Sequence, residues 1–521
     1  MRRDEVLLEI GTSKQWDVLV IGGGATGLGA ALEAASRGYR TLLIEKHDFA
    51  KGTSSRSTKL VHGGVRYLEQ LNLTLVLDAL RERGYMLKNA PHLVHRLPFV
   101  VPIYSYSGLP YYGFGLKVYE WLSGKLSFGR SQILSKEETI ERLPTITQTN
   151  LKGGILYFDG QFNDARYAIT LMRTLEDYGG CAINYLAATD LLHRGGRVEG
   201  VLARDEESGE EMDIHAKVVI NATGVFTEEI LNMDSPTQSS VLAVSQGSHF
   251  VLPRSFLPSS NAMMIPKTTD GRVLFAIPWQ SHVVVGTTDE PVEKTSLEPQ
   301  AMEDERAFLA KNIRSFLGRE LQTADVLSMW SGLRPLIRNG GRSTAKLSRD
   351  HKIITSKTGL VTVIGGKWTT YRRMGEDAVN HAVKVAGLAI VPSRTSNLHL
   401  HGWVDESVLA KTKDADLGYG SDFITVRSLQ KPNVNLDALL HPSLPYRMSE
   451  VVWAARHEMA RTVEDVLARR TRTLFLNAHV AAEIAPTVVR LLADELGRDE
   501  MWIQQQTQSF QELAKGYIYH G

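Results

Sequence analysis

The tightest constraint on this chain is Gly22-x-Gly24-x-x-Gly27, which directly follows the apolar run Val18-Leu19-Val20-Ile21 and opens a helical pattern. In such a strand–turn–helix unit the first glycine makes the tight turn and the second lets a pyrophosphate approach the backbone. The third lets helix and strand pack closely. The helix N-terminus then offers unpaired N–H groups and a partial positive charge to phosphates. The next apolar run, Thr41-Leu42-Leu43-Ile44, ends on Glu45, placed to bond a ribose hydroxyl. Glycines alone make structural turns as well. The strand before them and the acid after them favour a bound dinucleotide, with Gly22, Gly23, Gly24, Thr26, Gly27 and Glu45 as its candidate contacts.

Two later segments repeat the layout of apolar strand, glycine turn and helical pattern: Val218-Val219-Ile220-Asn221-Ala222-Thr223-Gly224 and Leu360-Val361-Thr362-Val363-Ile364-Gly365-Gly366-Lys367. Apolar, β-branched strands of this kind suit a parallel sheet buried on both faces. Residues near 240 to 290 instead alternate apolar and polar positions, with turns at Pro253, Asp270-Gly271 and Gln280-Ser281. That pattern predicts an antiparallel sheet, with Asp270-Gly271 as the best hairpin signal. Beyond the junction Pro392 to Asn397 the pattern turns helical, in Ser449 to Leu476, Asn477 to Leu496 and Asp499 to Gly516. In the first of these stretches Val452, Ala455, Met459, Val463, Val466 and Leu467 recur at helical spacing. At 521 residues the chain exceeds the size of a single growing core, so two or three domains are expected.

Composition narrows the function classes. A formal net charge of +1 argues against a nucleic-acid partner. The single cysteine, Cys181, allows no intramolecular disulfide and fits a reducing compartment, and no Cys/His spacing points to a metal. Residues 1–15 carry charges and no apolar stretch, so no secretory signal is expected. The longest apolar runs fall far short of the ~20 residues a spanning helix needs, so any membrane contact comes from the surface. The segment Leu109 to Trp121 concentrates aromatics of the sort that sit at headgroup depth, although the same residues would equally cover a core.

Two further segments carry polar chemistry. Residues Gly52 to Tyr67 are dense in hydroxyls, glycines and cations: Thr53, Ser54, Ser55, Ser57, Lys59, His62, Gly63, Gly64, Arg66 and Tyr67. Such compositions commonly make surface loops, yet a dinucleotide held at Gly22 to Gly27 needs more donors close by. Gly366-Lys367-Trp368-Thr369-Thr370 lies between an apolar strand and a helix beginning near Tyr371. A helix N-terminus there would stabilise negative charge on a reduced flavin, and by spacing alone the segment is equally an ordinary helix cap.

Taken together, these residues closely resemble the FAD-dependent glycerol-3-phosphate dehydrogenases. The matches are Val20 to Gly24 through Gly27, Thr53-Ser54-Ser55 through Lys59 to Glu69, Gly247-Ser248-His249, Gly286 to Asp289, Ser331 to Leu336, Ser348-Arg349-Asp350 and Gly365 to Arg372, in family order over residues ~14 to 385. The C-terminal helical region, around Arg456 to Leu476, looks like the family's cap. The resemblance implies an α/β chain with a discontinuous, Rossmann-like FAD-binding domain (residues 14–95, 155–235 and 350–385). A substrate domain on an antiparallel sheet (96–154 and 236–349), amino-acid-oxidase-like, and an α-helical C-terminal cap (395–521) complete it.

Carried over residue by residue, the resemblance adds Ala222, Thr223, Gly224, Gly366, Lys367, Trp368 and Thr369 to the cofactor contacts. It puts Arg66, Tyr67, His249, Arg334, Arg349 and Lys367 around the substrate, with Tyr67, His249, Arg334 and Lys367 in catalysis. The implied reaction oxidises sn-glycerol 3-phosphate to dihydroxyacetone phosphate, with hydride passing from substrate C2 to flavin N5 and electrons passing on to a quinone. Arginine suits a phosphate dianion, because its planar fork is always charged. His249 is the first candidate base and Lys367 the second. A cytoplasmic protein peripheral to the inner face of the cell membrane, and a homodimer, are the corresponding expectations. Relatives that use oxygen directly carry an inserted segment not evident here, and no calcium-loop pattern occurs. A flavin amino-acid oxidase or dehydrogenase of the same fold is the rival enzyme, and a flavin-binding scaffold protein the non-enzymatic rival.

Overall fold

A computed structural model describes residues 2–64, 73–106, 108–235, 240–268, 270–338, 350–409 and 415–521. Arg66, Tyr67 and Arg349 lie outside the described residues. The three strand–glycine segments sit side by side in one sheet. Trp16–Ile21 pairs in parallel with Thr41–Ile44 on one side and with Glu211–Asn221 on the other. Cys181–Ile183 and Val361–Gly365 extend the parallel order outward, and His351–Thr355 closes one edge antiparallel. Val18, Leu19 and Val20 are fully buried, as strands covered on both faces require.

The helix Ala25–Ser36 packs on this sheet with Asp164–Asp177 and Tyr371–Ala386. Its crossing with the last of these is backbone against backbone: a Cβ on Gly29 would stand 2.9 Å from the Tyr371 carbonyl, and one on Gly375 would stand 2.6 Å from Gly29. On the far side, Leu186–Arg194, Arg197–Asp205 and Glu211–Asn221 form an antiparallel meander. An N-terminal helix, Arg3–Thr12, docks beside it through buried Arg3, paired with Asp205 at 2.9 Å. Neither the meander nor this helix carries a period strong enough to announce it in the sequence.

The second sheet is antiparallel apart from one parallel pair, Ala262–Ile265 beside Val94–Ile103. Its long strand Leu242–Pro253 is flanked by Ser328–Ile337 and His282–Gly286. The chain reverses at Asp270-Gly271, where Gly271 takes φ +85 and the Thr268 N–H donates to the Arg272 carbonyl at 2.9 Å. It reverses again at Gln280-Ser281, both at positive φ, the backbone that a two-residue hairpin requires. Two strands from segments expected in the FAD domain pair here instead, Leu60–Val61 and Gly153–Phe162.

The C-terminal region is helical, but Ser449 to Leu476 is not one continuous helix. Met448–His457 ends, Met459 turns at φ 52, a π-helical turn covers Asp465–Arg470, and Arg472 turns at φ 64 before Thr473–Leu476. Buried Arg469 and Arg470 in this stretch pair with Asp48, in a loop of the first sheet, and those long-range ion pairs override the 3.6-residue period. Ala478–Leu496 and Glu500–Lys515 follow, each with a side-chain cap, Asn477 on Val480 N–H and Asp499 on Trp502 N–H. Their apolar faces share a core with Val251, Trp279 and Trp330 of the second sheet.

Candidate active site

The glycine turn builds one end of a cavity of about 460 Å³, within the range of small-molecule sites. Gly22 takes φ +109, and a Cβ there would stand 2.8 Å from the Ala222 carbonyl oxygen. A Cβ on Gly27 would overlap the Gly22 carbonyl, so this glycine lets the helix close on the strand. A Cβ on Gly24 would meet only Ser54 Oγ, at 3.1 Å, so the space in front of it is open to a ligand. Glu45 accepts hydrogen bonds from Gly23 N–H at 2.6 Å and His47 N–H at 2.8 Å, and burial raises its carboxyl above the ordinary range.

Gly22, Gly24, Thr26, Glu45, Thr53 and Ser54 line the cavity on one side. Ala222, Thr223, Gly224, Gly366, Lys367 and Trp368 line it on the other. Gly23 and Gly27 stand behind this lining and shape it. A phosphate-accessible glycine cradle, a helix N-terminus and a carboxylate at the next strand end fit a dinucleotide. Leu186, Ala187, Ala188, Thr189 and Arg204 add lining from the meander, which the sequence pattern does not single out.

The rest of the polar loop turns elsewhere. Ser57 donates from N–H at 3.1 Å and from Oγ at 2.7 Å to the buried Asp164 carboxylate. Lys59, fully buried at φ +63, donates to that carboxylate at 2.7 Å and to the Ser55 carbonyl at 2.9 Å. Burial, opposed by Asp164, pushes its ammonium down to about 7. His62 N–H reaches Thr369 Oγ1 at 3.3 Å, and Gly63 N–H reaches the Tyr119 hydroxyl at 2.8 Å. Ser55, Ser57, Lys59, His62, Gly63, Gly64 and Thr369 are not among the residues lining the cavity.

His249, Gly247 and Arg334 share one face of the second sheet, since Ser245 pairs with Arg334 and His249 with Trp330. The His249 ring stacks on Trp330 at 4.0 Å and exchanges a hydrogen bond with Thr58 Oγ1 at 3.0 Å. Across from it stands Gly286, whose Cβ would overlap the imidazole. Burial first, then the charges of Lys59 and Arg334, hold the His249 pKa well below its ordinary value. Both effects favour the neutral ring, whose Nδ1 has no hydrogen-bond partner among the described residues. Arg334 lies over Gly247 and donates to Asp289 at 3.2 Å, Thr287 Oγ1 at 3.0 Å, and the Gln246 and Thr288 carbonyls. The next residue, Pro335, lines the cofactor cavity with Lys367, so the arginine strand runs past the cofactor site.

A sequence profile of FAD dependent oxidoreductases matches residues 17–372, and one for the C-terminal domain of alpha-glycerophosphate oxidase matches residues 405–502. Mitochondrial glycerol-3-phosphate dehydrogenase from Homo sapiens is 38% identical over 551 residues, covering 99% of this chain and 75% of that protein. The probable mitochondrial enzyme of Caenorhabditis elegans is 40% identical over 546 residues, with the same coverage. The chain belongs to the FAD-dependent glycerol-3-phosphate dehydrogenases.

The crystal structure of the glycerol-3-phosphate dehydrogenase from Bacillus halodurans, complexed with FAD, superposes with a TM-score of 0.79 at 29% identity, over 99% of this chain and 97% of that one. L-alpha-glycerophosphate oxidase from Mycoplasma pneumoniae, at 16% identity and a TM-score of 0.58 over 74% of this chain, shares the fold. The expected α/β, amino-acid-oxidase-like architecture with a helical C-terminal region is therefore the architecture of this dehydrogenase, and FAD is its cofactor.

Proposed function

We propose that this chain oxidises sn-glycerol 3-phosphate to dihydroxyacetone phosphate and passes the electrons to a quinone. The observation that carries the reading is the sheet face on which His249, its pKa lowered, and cationic Arg334 stand together, with Pro335 next to Arg334 lining the cofactor cavity. The flavin, when bound, supplies the two-electron acceptor. Arg334, with Arg66 and Arg349, holds the phosphate through charge-assisted hydrogen bonds. His249 takes the proton of the C2 hydroxyl at Nδ1, the ring nitrogen without a partner among the described residues, while Thr58 Oγ1 holds Nε2 and orients the ring. Lys367, in the cavity wall, polarises the forming carbonyl, and Tyr67 is a further catalytic residue. Ser55, Ser57, Lys59, His62, Gly63, Gly64 and Thr369 complete the proposed cofactor-binding set.

The proposed domains are 14–95, 155–235 and 350–385 for FAD, 96–154 and 236–349 for substrate, and 395–521 for the cap, with Leu60–Val61 and Gly153–Phe162 crossing into the substrate sheet. The protein works as a cytoplasmic homodimer peripheral to the membrane. Support for the membrane contact comes from the helix Gly108–Ser123, which buries Leu116 and Tyr119 while Tyr111, Phe114 and Trp121 are 60, 74 and 79% exposed. Among the described residues no helix is long and apolar enough to cross a membrane.

Anaerobic addition of glycerol 3-phosphate to the purified yellow protein tests the substrate, and the expected result is bleaching of the flavin. Reoxidation by a quinone analogue should then be much faster than by air. Peroxide formed stoichiometrically at a comparable rate would make the protein an oxidase, and bleaching by an amino acid instead would replace the substrate class.

A further inference from the structure

One wall of the cofactor cavity is held from two sides, by its own domain, through Ala50 N–H on the Gly23 carbonyl at 2.9 Å and the Trp368 indole N–H on the Ser54 carbonyl at 2.7 Å, and by the C-terminal region. Ala50, Lys51, Gly52, Thr53 and Ser54 form that wall, and Ser54 Oγ accepts the Ala25 N–H, at 2.9 Å, at the very helix end that faces the phosphates. Each end of this loop, and its middle, is gripped from the C-terminal region. At the start, the fully buried Asp48 carboxylate accepts Arg470 Nη1 at 2.6 Å and Nη2 at 2.9 Å, and also Arg469 Nε. In the middle, Lys51 Nζ donates to both Glu464 oxygens, at 2.8 and 2.6 Å. At the end, Arg472 Nη2 donates to the Ser55 carbonyl at 2.6 Å, one residue beyond the Ser54 that caps the helix.

The geometry of the C-terminal region is bent to this purpose. Arg472 sits at φ +64, fully buried, with its other arm on the Ala468 carbonyl at 2.6 Å and its charge 3.2 Å from Asp164. Arg469 and Arg470 end the π-helical turn, a helix defect found mostly where function needs a side chain re-aimed. Buried ion pairs are poor sources of net stability compared with apolar packing, and their best-attested use is to specify one arrangement. Glu464, Arg469, Arg470 and Arg472 all lie outside the cavity lining.

We propose that the C-terminal region is a cofactor clasp, in which Glu464, Arg469, Arg470 and Arg472 are positioning residues that hold loop 48–55 against FAD. The clasp makes cofactor retention, and not turnover alone, depend on residues more than four hundred positions away in the chain. Loss of the Arg472 bond leaves the Ser55 carbonyl to Lys59 alone and loosens the loop, so that Ser54 Oγ caps the helix N-terminus less tightly. The inference rests on FAD being the resident cofactor.

The test is FAD release from the purified holoenzyme, read by flavin absorbance remaining after dialysis and by the rise of free-flavin fluorescence. Arg472→Met should raise the FAD dissociation constant by about tenfold or more, the range for losing a hydrogen bond to a charged group. Arg472→Lys, which keeps one donor for Ser55, should recover part of that. Glu464→Gln lies nearer the surface and should give a smaller rise, with Glu464→Asp close to wild type. Should Arg472→Met fail to fold, the Glu464 pair decides. Wild-type FAD affinity in both Arg472→Met and Glu464→Gln, with only a lower melting temperature, overturns the clasp. A wild-type protein that purifies without flavin would instead sink the functional reading itself.

Discussion

The two walls of the cofactor cavity are built in opposite ways. The wall of Gly22, Gly24, Ala222 to Gly224, Gly366 and Lys367 is made at the ends of parallel strands, and it is shaped by main-chain sterics within a few residues. The wall of Ala50 to Ser54 is a loop tied to the sheet by a few hydrogen bonds and gripped along its length by charges arriving from residues 464–472. Steric walls are rigid because backbone overlap has no soft alternative. Charge-held walls are rigid only while every partner is present, since removing one member strands a buried charge.

The largest effects should come from breaking the steric wall. Gly27→Val would drive a side chain into the Gly22 carbonyl and should yield no folded holoprotein. Gly24→Asp should fold, because its Cβ meets only Ser54 Oγ, yet carry no flavin, because a carboxylate would occupy the pyrophosphate's place. Circular dichroism with flavin content checks both, and a yellow Gly24→Asp protein would show that the cavity binds its cofactor elsewhere.

Next in size is the substrate face. Arg334→Met should lower kcat/KM for glycerol 3-phosphate by roughly 10- to 150-fold with FAD still bound. An unchanged kcat/KM would leave Arg334 as a purely structural tie to Asp289 and the Gln246 carbonyl. The same face predicts a pH profile. Burial, Lys59 and Arg334 depress the His249 pKa, so activity should fall only as pH drops well below 6.5, where the imidazole gains its proton. An acid limb of kcat at or above that value would remove His249 as the base.

The smallest effect contrasts these sites with an ion cluster that serves stability alone. His401 bonds Asp177 at 2.7 Å and Asp422 at 2.8 Å; burial opposes its charge, but the two carboxylates win and raise its pKa to about 9. Because the folded pKa lies above the unfolded one, this stability is complete below pH 6.5 and is lost as pH rises through about 9. His401→Gln should therefore lower the melting temperature at acid pH, shrink to no difference in alkali, and leave FAD affinity untouched. A loss of FAD in this variant would mean that any destabilisation of the C-terminal region releases the cofactor, and the clasp would lose its specificity.

Much of the steric wall was legible in the residues. The glycine spacing, the acid at the end of the second strand and the repeated strand–glycine layout are local signals, and the structure lines them up in one parallel sheet. The Asp270-Gly271 hairpin was legible for the same reason, since positive φ selects glycine within the turn itself. The loop from Gly52 onward was legible only as polar. Nothing in its pattern says that Thr53 and Ser54 face the cavity while Ser57 and Lys59 turn to Asp164. Which cation meets which carboxylate depends on residues over a hundred positions apart.

The sequence by itself determined the strands, the tight turns and the kind of ligand they cradle, because sterics and periodicity act between near neighbours. It also determined membership of the family, because the motifs occur together and in order. The tertiary structure decided that His249 is buried beside charges that favour its neutral form, that the stretch Ser449 to Leu476 breaks into a π-turn, and that its arginines reach the loop 48–55. Those outcomes follow from burial and from charges brought together by folding. A buried group's protonation and partners are set by what surrounds it in space, and the order of residues along the chain does not contain that directly.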